Sequence, residues 1–155
     1  MKTDLHLHEQ LLLLALRDDK GTLESKATMY QYALGGAILA EMALHGKIRI
    51  GSDKKKLVGL DDRRPFDEPV LDECLEMVAA AKKRRRASEW VSKFGRLKRL
   101  RHRVAEGLCR RGILKDAEDS VLLIFTRKVY PTIDPAPEAR LLDDLRDAIF
   151  NDTAT

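Results

Sequence analysis

Aromatic residues make up only 5% of this 155-residue chain, and there are just two cysteines. The first scarcity argues against a β-sandwich, and the abundance of Leu and Ala beside 35% charged residues favours helices. Two cysteines cannot build a disulfide scaffold. Cys74 and Cys109 sit among apolar neighbours on expected helices and read as buried thiols of a reducing compartment. Long hydrophobic runs are missing too: the longest, Ala33 to Leu44, contains Glu41 and is too short to span a bilayer, so any membrane contact is peripheral. His6, His8 and Glu9 interrupt the N-terminal apolar stretch and no small-residue cleavage site follows, which speaks for a cytoplasmic chain without a secretory leader.

Chemistry is equally sparse. There is no phosphate loop, no dinucleotide fingerprint and no Cys/His pattern with metal-ligand spacing. His6 and His8 are two apart, which does not align them on one helical face. No Ser/His or Cys/His triad motif stands out, and the carboxylate pairs Asp61-Asp62 and Asp143-Asp144 fall in loop-like or solvated contexts. The expectation is a protein with no catalytic residues, no metal and no cofactor.

Acids are almost absent from one stretch. Between Lys82 and Lys115 there are 14 Lys or Arg but only two acids, Glu89 and Glu106, a local charge of +12 that leaves the remainder of a +4 chain at −8. Positive charge is therefore placed rather than scattered, and its partner should be polyanionic, either membrane headgroups or nucleic acid.

At 155 residues with 44% hydrophobic content, one domain with its own core is expected. A first helix runs from about Leu5 to Arg17 and stops at Asp18-Asp19-Lys20-Gly21. A second, about Thr28 to His45, is apolar on most sides and marks the central helix; Gly35-Gly36 within it suit close packing against a neighbour. Gly46 ends it, and Lys47–Ile50 with Lys56–Leu60 read as a β-hairpin. Helical spacing then covers about 68–81, a short helix 88–94, and a helix 96–111 closed by Gly112. Ile113-Leu114, the polar turn Lys115–Asp119 and Val121–Phe125 read as a second hairpin, and Pro131, Pro135 and Pro137 lead to a last helix, about 138–150. The fold class is mainly α: a helical bundle around a central apolar helix, with two small β-hairpins.

On a wheel of 100° per residue with Leu97 at zero, Arg96, Arg99, Arg103 and Arg110 fall on the face opposite the apolar stripe and read as solvated. Arg101 sits at roughly 40°, inside the apolar arc, with Lys98 at its border. A guanidinium there needs either a buried carboxylate or a pocket that receives an anion. Lys82, Lys83, Arg84, Arg85 and Arg86 lie between helices, as a solvated linker or an electrostatic tether worth about 1 kcal/mol per residue at an anionic membrane. The apolar residues Leu122, Leu123, Ile124 and Phe125 leave one face of a two-stranded hairpin uncovered, to be filled by core, partner chain or lipid. Cations beside insertable side chains form the two-signal arrangement of peripheral membrane binding.

In their order, three stretches resemble the Golgi phosphoprotein 3 family of eukaryotic Golgi adaptors and bacterial homologues. They are Leu11-Leu12-Leu13-Leu14-Ala15-Leu16-Arg17-Asp18-Asp19-Lys20-Gly21, Ala33–Ile48, and Val104–Leu114 followed by Tyr130-Pro131-Thr132. The resemblance implies a mostly helical domain, 1–155; the family usually continues with further helices beyond Asn151–Thr155, so the chain is either a fragment or a shortened member. It implies binding of phosphatidylinositol 4-phosphate at a basic pocket, with an apolar hairpin for membrane insertion or self-association into a homo-oligomer. A eukaryotic member would sit on the cytosolic face of the Golgi and engage protein cargo. Two family headgroup-binding positions fall on Lys98 and Arg101; Lys26 stands where eukaryotic members have a binding tryptophan, and Gly35 where they have another arginine.

The leading expectation is thus a peripheral membrane protein that binds anionic lipid through Lys98, Arg101 and Lys26. The competing one is a winged-helix nucleic-acid module, with helix 96–111 in a major groove and Lys115–Asp119 as the wing tip. The acidic wing tip and the inward angle of Arg101 argue against nucleic acid, since phosphate contacts prefer outward residues.

Overall fold

The computed structural model describes residues 5–15, 27–114, 117–121, 125–129 and 133–150. They form six helices and two antiparallel hairpins, the mainly helical class expected. Backbone contacts divide the chain into two compact units, one made of Met1–Glu24 with Ala105–Thr155 and the other of Ser25–Val104.

The continuous unit is built on α2 (Ala27–Leu44). Leu34, Ile38 and Met42 are buried along it, while Tyr32, Ala33 and Leu44 are exposed, so the helix is less enclosed than its composition suggested. Gly46, in the left-handed region at φ 69°, ends the chain's helical course as anticipated. β1 (Ile48–Ile50) then pairs with β2 (Val58–Leu60), Ile48 opposite Leu60 and Ile50 opposite Val58.

α3 (Pro69–Ala79) starts where local chemistry favours it. Pro69 opens the first turn without needing a donor, and the Glu68 carboxylate accepts the free Val70 and Leu71 N–H groups at 3.3 and 2.8 Å. Val70, Leu71, Cys74, Leu75 and Val78 form its buried stripe. Burial pushes the Cys74 thiol far above its ordinary range, the Glu73 charge adds to this, and Arg103 only partly opposes it; Cys74 is an inert core residue. Cys109 is half-buried rather than buried.

α4 (Ala87–Gly95) packs chiefly on α2. Glycines set the crossing: a Cβ on Gly35 would lie 2.2 Å from the Val91 carbonyl oxygen, and one on Gly95 would lie 2.6 Å from that of Gln31. Gly36 meets nothing within 4 Å, so close packing belongs to Gly35 alone of the pair.

α5 is Leu100–Arg110, not 96–111. The apolar stripe from Phe94 to Val104 crosses a turn in which Arg99 adopts φ 58°, so Lys98 and Arg99 precede the helix. The first turn of α5 belongs to this unit.

In the other unit, α1 (Leu7–Ala15) and α6 (Ala136–Phe150) pack together. Leu12, Leu13, Leu108, Ile113, Leu114 and Leu141 are buried there. Glu9, itself buried, accepts the His6 N–H at 3.0 Å and reaches Arg111 at 3.6 Å. Gly112 at φ 76° closes α5 as expected, and the Ile113 carbonyl accepts the Ile133 and Asp134 N–H groups at 2.8 and 3.2 Å.

The second hairpin has another register than the sequence suggested. β3 is Ala117–Val121 and β4 is Phe125–Val129, so Ala117–Asp119 of the expected turn are strand, and Val121 and Phe125 of the expected strand end one strand and begin the other. Pairing sets Glu118 opposite Lys128 and Asp119 opposite Arg127. Leu122, Leu123 and Ile124 of the apolar run lie outside the described residues.

Candidate functional site

Residues on α5 decide which cations are committed. Counted from Leu100 at 100° per residue, the buried Val104, Leu108 and Ala105 fall at roughly 40°, 80° and 140°, and Arg101 at roughly 100° lies between them. Its inward angle thus survives the later helix start. Arg101 is half-buried and has no ion-pair partner among the described residues. The carboxylate alternative is not seen there.

Two residues on, the situation is reversed. Arg103 donates to Glu73 of α3 at 2.6 Å, with only 28% of its side chain exposed. It was expected on a solvated face, but its position at roughly 300° turns it toward α3. Arg96 and Arg110 are exposed as expected, and Arg99 is exposed in the turn before the helix.

Lys98, also exposed, lies in that same turn, three residues before Arg101. It precedes the helix that carries Arg101, and Leu100 N–H donates to the Leu97 carbonyl at 3.2 Å in the turn between them. Lys26 lies outside the described residues, as do Leu122, Leu123 and Ile124; of Phe125 only the strand backbone is described. Gly35 is a helix-crossing contact, and the space a longer side chain would need is occupied by the α4 backbone.

Lys82–Arg86 are all exposed, between α3 and α4. The segment is not a loose linker. Val58 N–H donates to the Arg85 carbonyl and Ala87 N–H to that of Lys56, each at 2.9 Å, and Leu57 bridges Arg86. The end of the basic run is therefore held to the first hairpin by an isolated antiparallel bridge between Leu57 and Arg86. Arg85 reaches Glu89 at 3.7 Å. Arg49 and Trp90 border the same basic face and were passed over in the sequence; a sole tryptophan four residues after a basic run was the signal available.

Among the described residues no helix is long and apolar enough to cross a membrane. A sequence model of the family described as Golgi phosphoprotein 3 (GPP34) matches residues 7–155. Vacuolar protein sorting-associated protein 74 of Schizosaccharomyces pombe is 32% identical over 149 residues, covering 84% of this chain. The protein of the same description from Eremothecium gossypii is 28% identical over 149 residues, with the same coverage of 84%. The chain spans 44% of the length of each of these relatives.

Proposed function

The chain belongs to the Golgi phosphoprotein 3 family, and on that premise we propose that it is a non-enzymatic peripheral membrane protein that recognises phosphate-bearing anionic lipid. Arg101 and Lys98 receive the headgroup at the start of α5, with Lys26 as a further cation. Phosphatidylinositol 4-phosphate is the lipid the family resemblance implies. The residue pair Arg101 and Arg103 carries the reading: Arg103 is neutralised by Glu73 at 2.6 Å, whereas Arg101, angled into the buried arc, has no such partner among the described residues. A half-buried guanidinium without a carboxylate beside it offers paired donors that an anion can accept.

Lys82–Arg86 add non-selective attraction to the same surface. Leu122, Leu123, Ile124 and Phe125 supply insertion or self-association, each large side chain contributing about 1.5–3 kcal/mol when buried. The relatives' description as vacuolar protein sorting-associated supports a role in selecting protein cargo at a cytosolic membrane face, the Golgi in a eukaryote. The winged-helix alternative loses its wing tip, because Ala117–Asp119 belong to β3.

Flotation with phosphatidylcholine vesicles containing phosphatidylinositol 4-phosphate tests the reading. Binding is expected to be salt-sensitive and to fall at least fivefold with Arg101→Ala, while Arg110→Ala, on the opposite side of α5, changes it less than twofold. Equal losses from both substitutions would leave only a diffuse basic face, and tighter binding to duplex DNA than to vesicles would reinstate the nucleic-acid reading.

A further inference from the structure

A cavity of about 190 Å³ opens between the β2 strand, the C-terminal end of α3 and the beginning of the basic run. Lys82, Lys83 and Arg84 form one wall, Gly59 another, and Trp90 lines it from α4; no carboxylate is among the lining residues. Its volume is below the roughly 300–1,000 Å³ of sites that enclose whole small molecules, so it fits one compact group.

Three independent features make this more than a charged surface. First, the wall is anchored at its C-terminal end, since the backbone hydrogen bonds of Val58 with Arg85 and of Ala87 with Lys56 fix the residues that follow Arg84 against the hairpin edge. Second, two guanidinium groups converge over Gly59: Arg84 Cζ and Arg49 Nε lie 3.8 and 3.4 Å from where a Cβ on that glycine would be. Arg49 is only loosely compensated, by Asp61 at 3.4 Å on an exposed edge. Third, the Trp90 side chain is 97% buried by residue exposure of 3%, and its Nε1 has no hydrogen-bond acceptor among the described residues. A buried indole N–H ordinarily finds a partner. The α3 carbonyl end contributes dipoles of the wrong sign for an anion, which Lys82 and Lys83 oppose.

We propose that Lys82, Lys83, Arg84 and Arg49, with Trp90 behind them, form a second anion site that takes one phosphomonoester group. A doubly charged, multi-acceptor group matches the converging cations. The site is separate from Lys98 and Arg101 and does not depend on their assignment. It turns the basic run from a diffuse attractor into a receptor with a shape.

The sole tryptophan makes the test direct, because the chain has a single indole N–H resonance. Inorganic phosphate is titrated into the 15N-labelled full chain at constant ionic strength. The indole cross-peak is expected to move downfield and saturate. The midpoint should rise at least fivefold with Arg84→Gln and with Lys83→Gln, both exposed positions, and stay within twofold with Arg101→Ala. A shift reproduced by chloride, an unmoved indole, or unchanged titration of both Gln variants would overturn the site. Tryptophan fluorescence with phosphatidylcholine vesicles containing phosphatidic acid identifies the source of the group. A response at tenfold lower phosphate concentration than free phosphate assigns a lipid headgroup, and a response to free phosphate alone assigns a soluble phosphomonoester.

Discussion

Arg103 Nη2 and Glu73 Oε2 are 2.6 Å apart, and this ion pair ties the start of α5 to α3. It also sorts the arginines of the basic segment. Two residues separate Arg103 from Arg101, a rotation of roughly 200° on the helix, which turns one toward a carboxylate and leaves the other without one among the described residues.

Removing that pair should cost stability without touching the proposed headgroup site. Arg103→Ala is expected to destabilise by about 1 kcal/mol, given partners that are part-exposed, and to lower the melting temperature by roughly 2–4 °C. A double-mutant cycle with Glu73→Ala, read by thermal melts, should show that the two losses are not additive. Additive losses would mean that the pair carries no coupling.

The two adjacent glycines of α2 should respond in opposite directions. Gly35→Ala drives a methyl group into the Val91 carbonyl and is expected to destabilise by about 1–3 kcal/mol. Gly36→Ala, with open space around it, should stabilise by about 0.5–1 kcal/mol through helix propensity. Denaturant midpoints measure both, and equal effects would contradict the α2–α4 crossing.

Lys98→Arg should strengthen lipid binding a few-fold, because a guanidinium can grip a phosphate through two parallel donors where an ammonium offers a point charge. Flotation on phosphatidylinositol 4-phosphate vesicles checks this. Unchanged binding would place Lys98 away from the phosphate.

Acid should loosen the start of the Arg63–Pro69 connector. Hydrogen bonds from Arg64, and a weaker one from Lys47, hold the Asp62 carboxyl far below the usual carboxylate range. A carboxyl depressed in the folded state contributes fully above its unfolded value, about 3.9, and loses that contribution as pH falls further toward the folded value. The melting-temperature gap between the native chain and Asp62→Asn is therefore expected to be constant from about pH 5 to 8 and to shrink below about pH 4. The gap should be small, since Arg64 is 85% exposed. A gap that widened in acid would contradict the linkage.

Particular residues show why some features were readable from the chain and others were not. α2 and α3 came within one or two residues of their expected limits because Gly46, Glu68 and Pro69 terminate or cap helices by local chemistry alone. α5 was expected four residues too early, because Leu97 continues a 3–4 spacing across a turn and periodicity cannot register the left-handed Arg99. The second hairpin was misaligned because five apolar residues resemble a buried strand, whereas the backbone register sets Glu118 opposite Lys128 and Val121 opposite Phe125.

The amino-acid sequence by itself determined the helical class, the helix stops at Gly46 and Gly112, the location of the positive charge and the inward angle of Arg101. Each of these depends on near neighbours in the chain, through propensity, capping and the 3.6-residue period. Only the tertiary structure decided which cations are already spoken for, that Gly35 is a crossing point and not an open position, and that the basic run lines a cavity with its end bridged to a hairpin edge. Those outcomes depend on partners distant in the chain: Glu73 for Arg103, Val91 for Gly35, and Lys56 and Val58 for the basic run. A charge declares its sign in the sequence, but whether it is compensated is a property of what folds beside it.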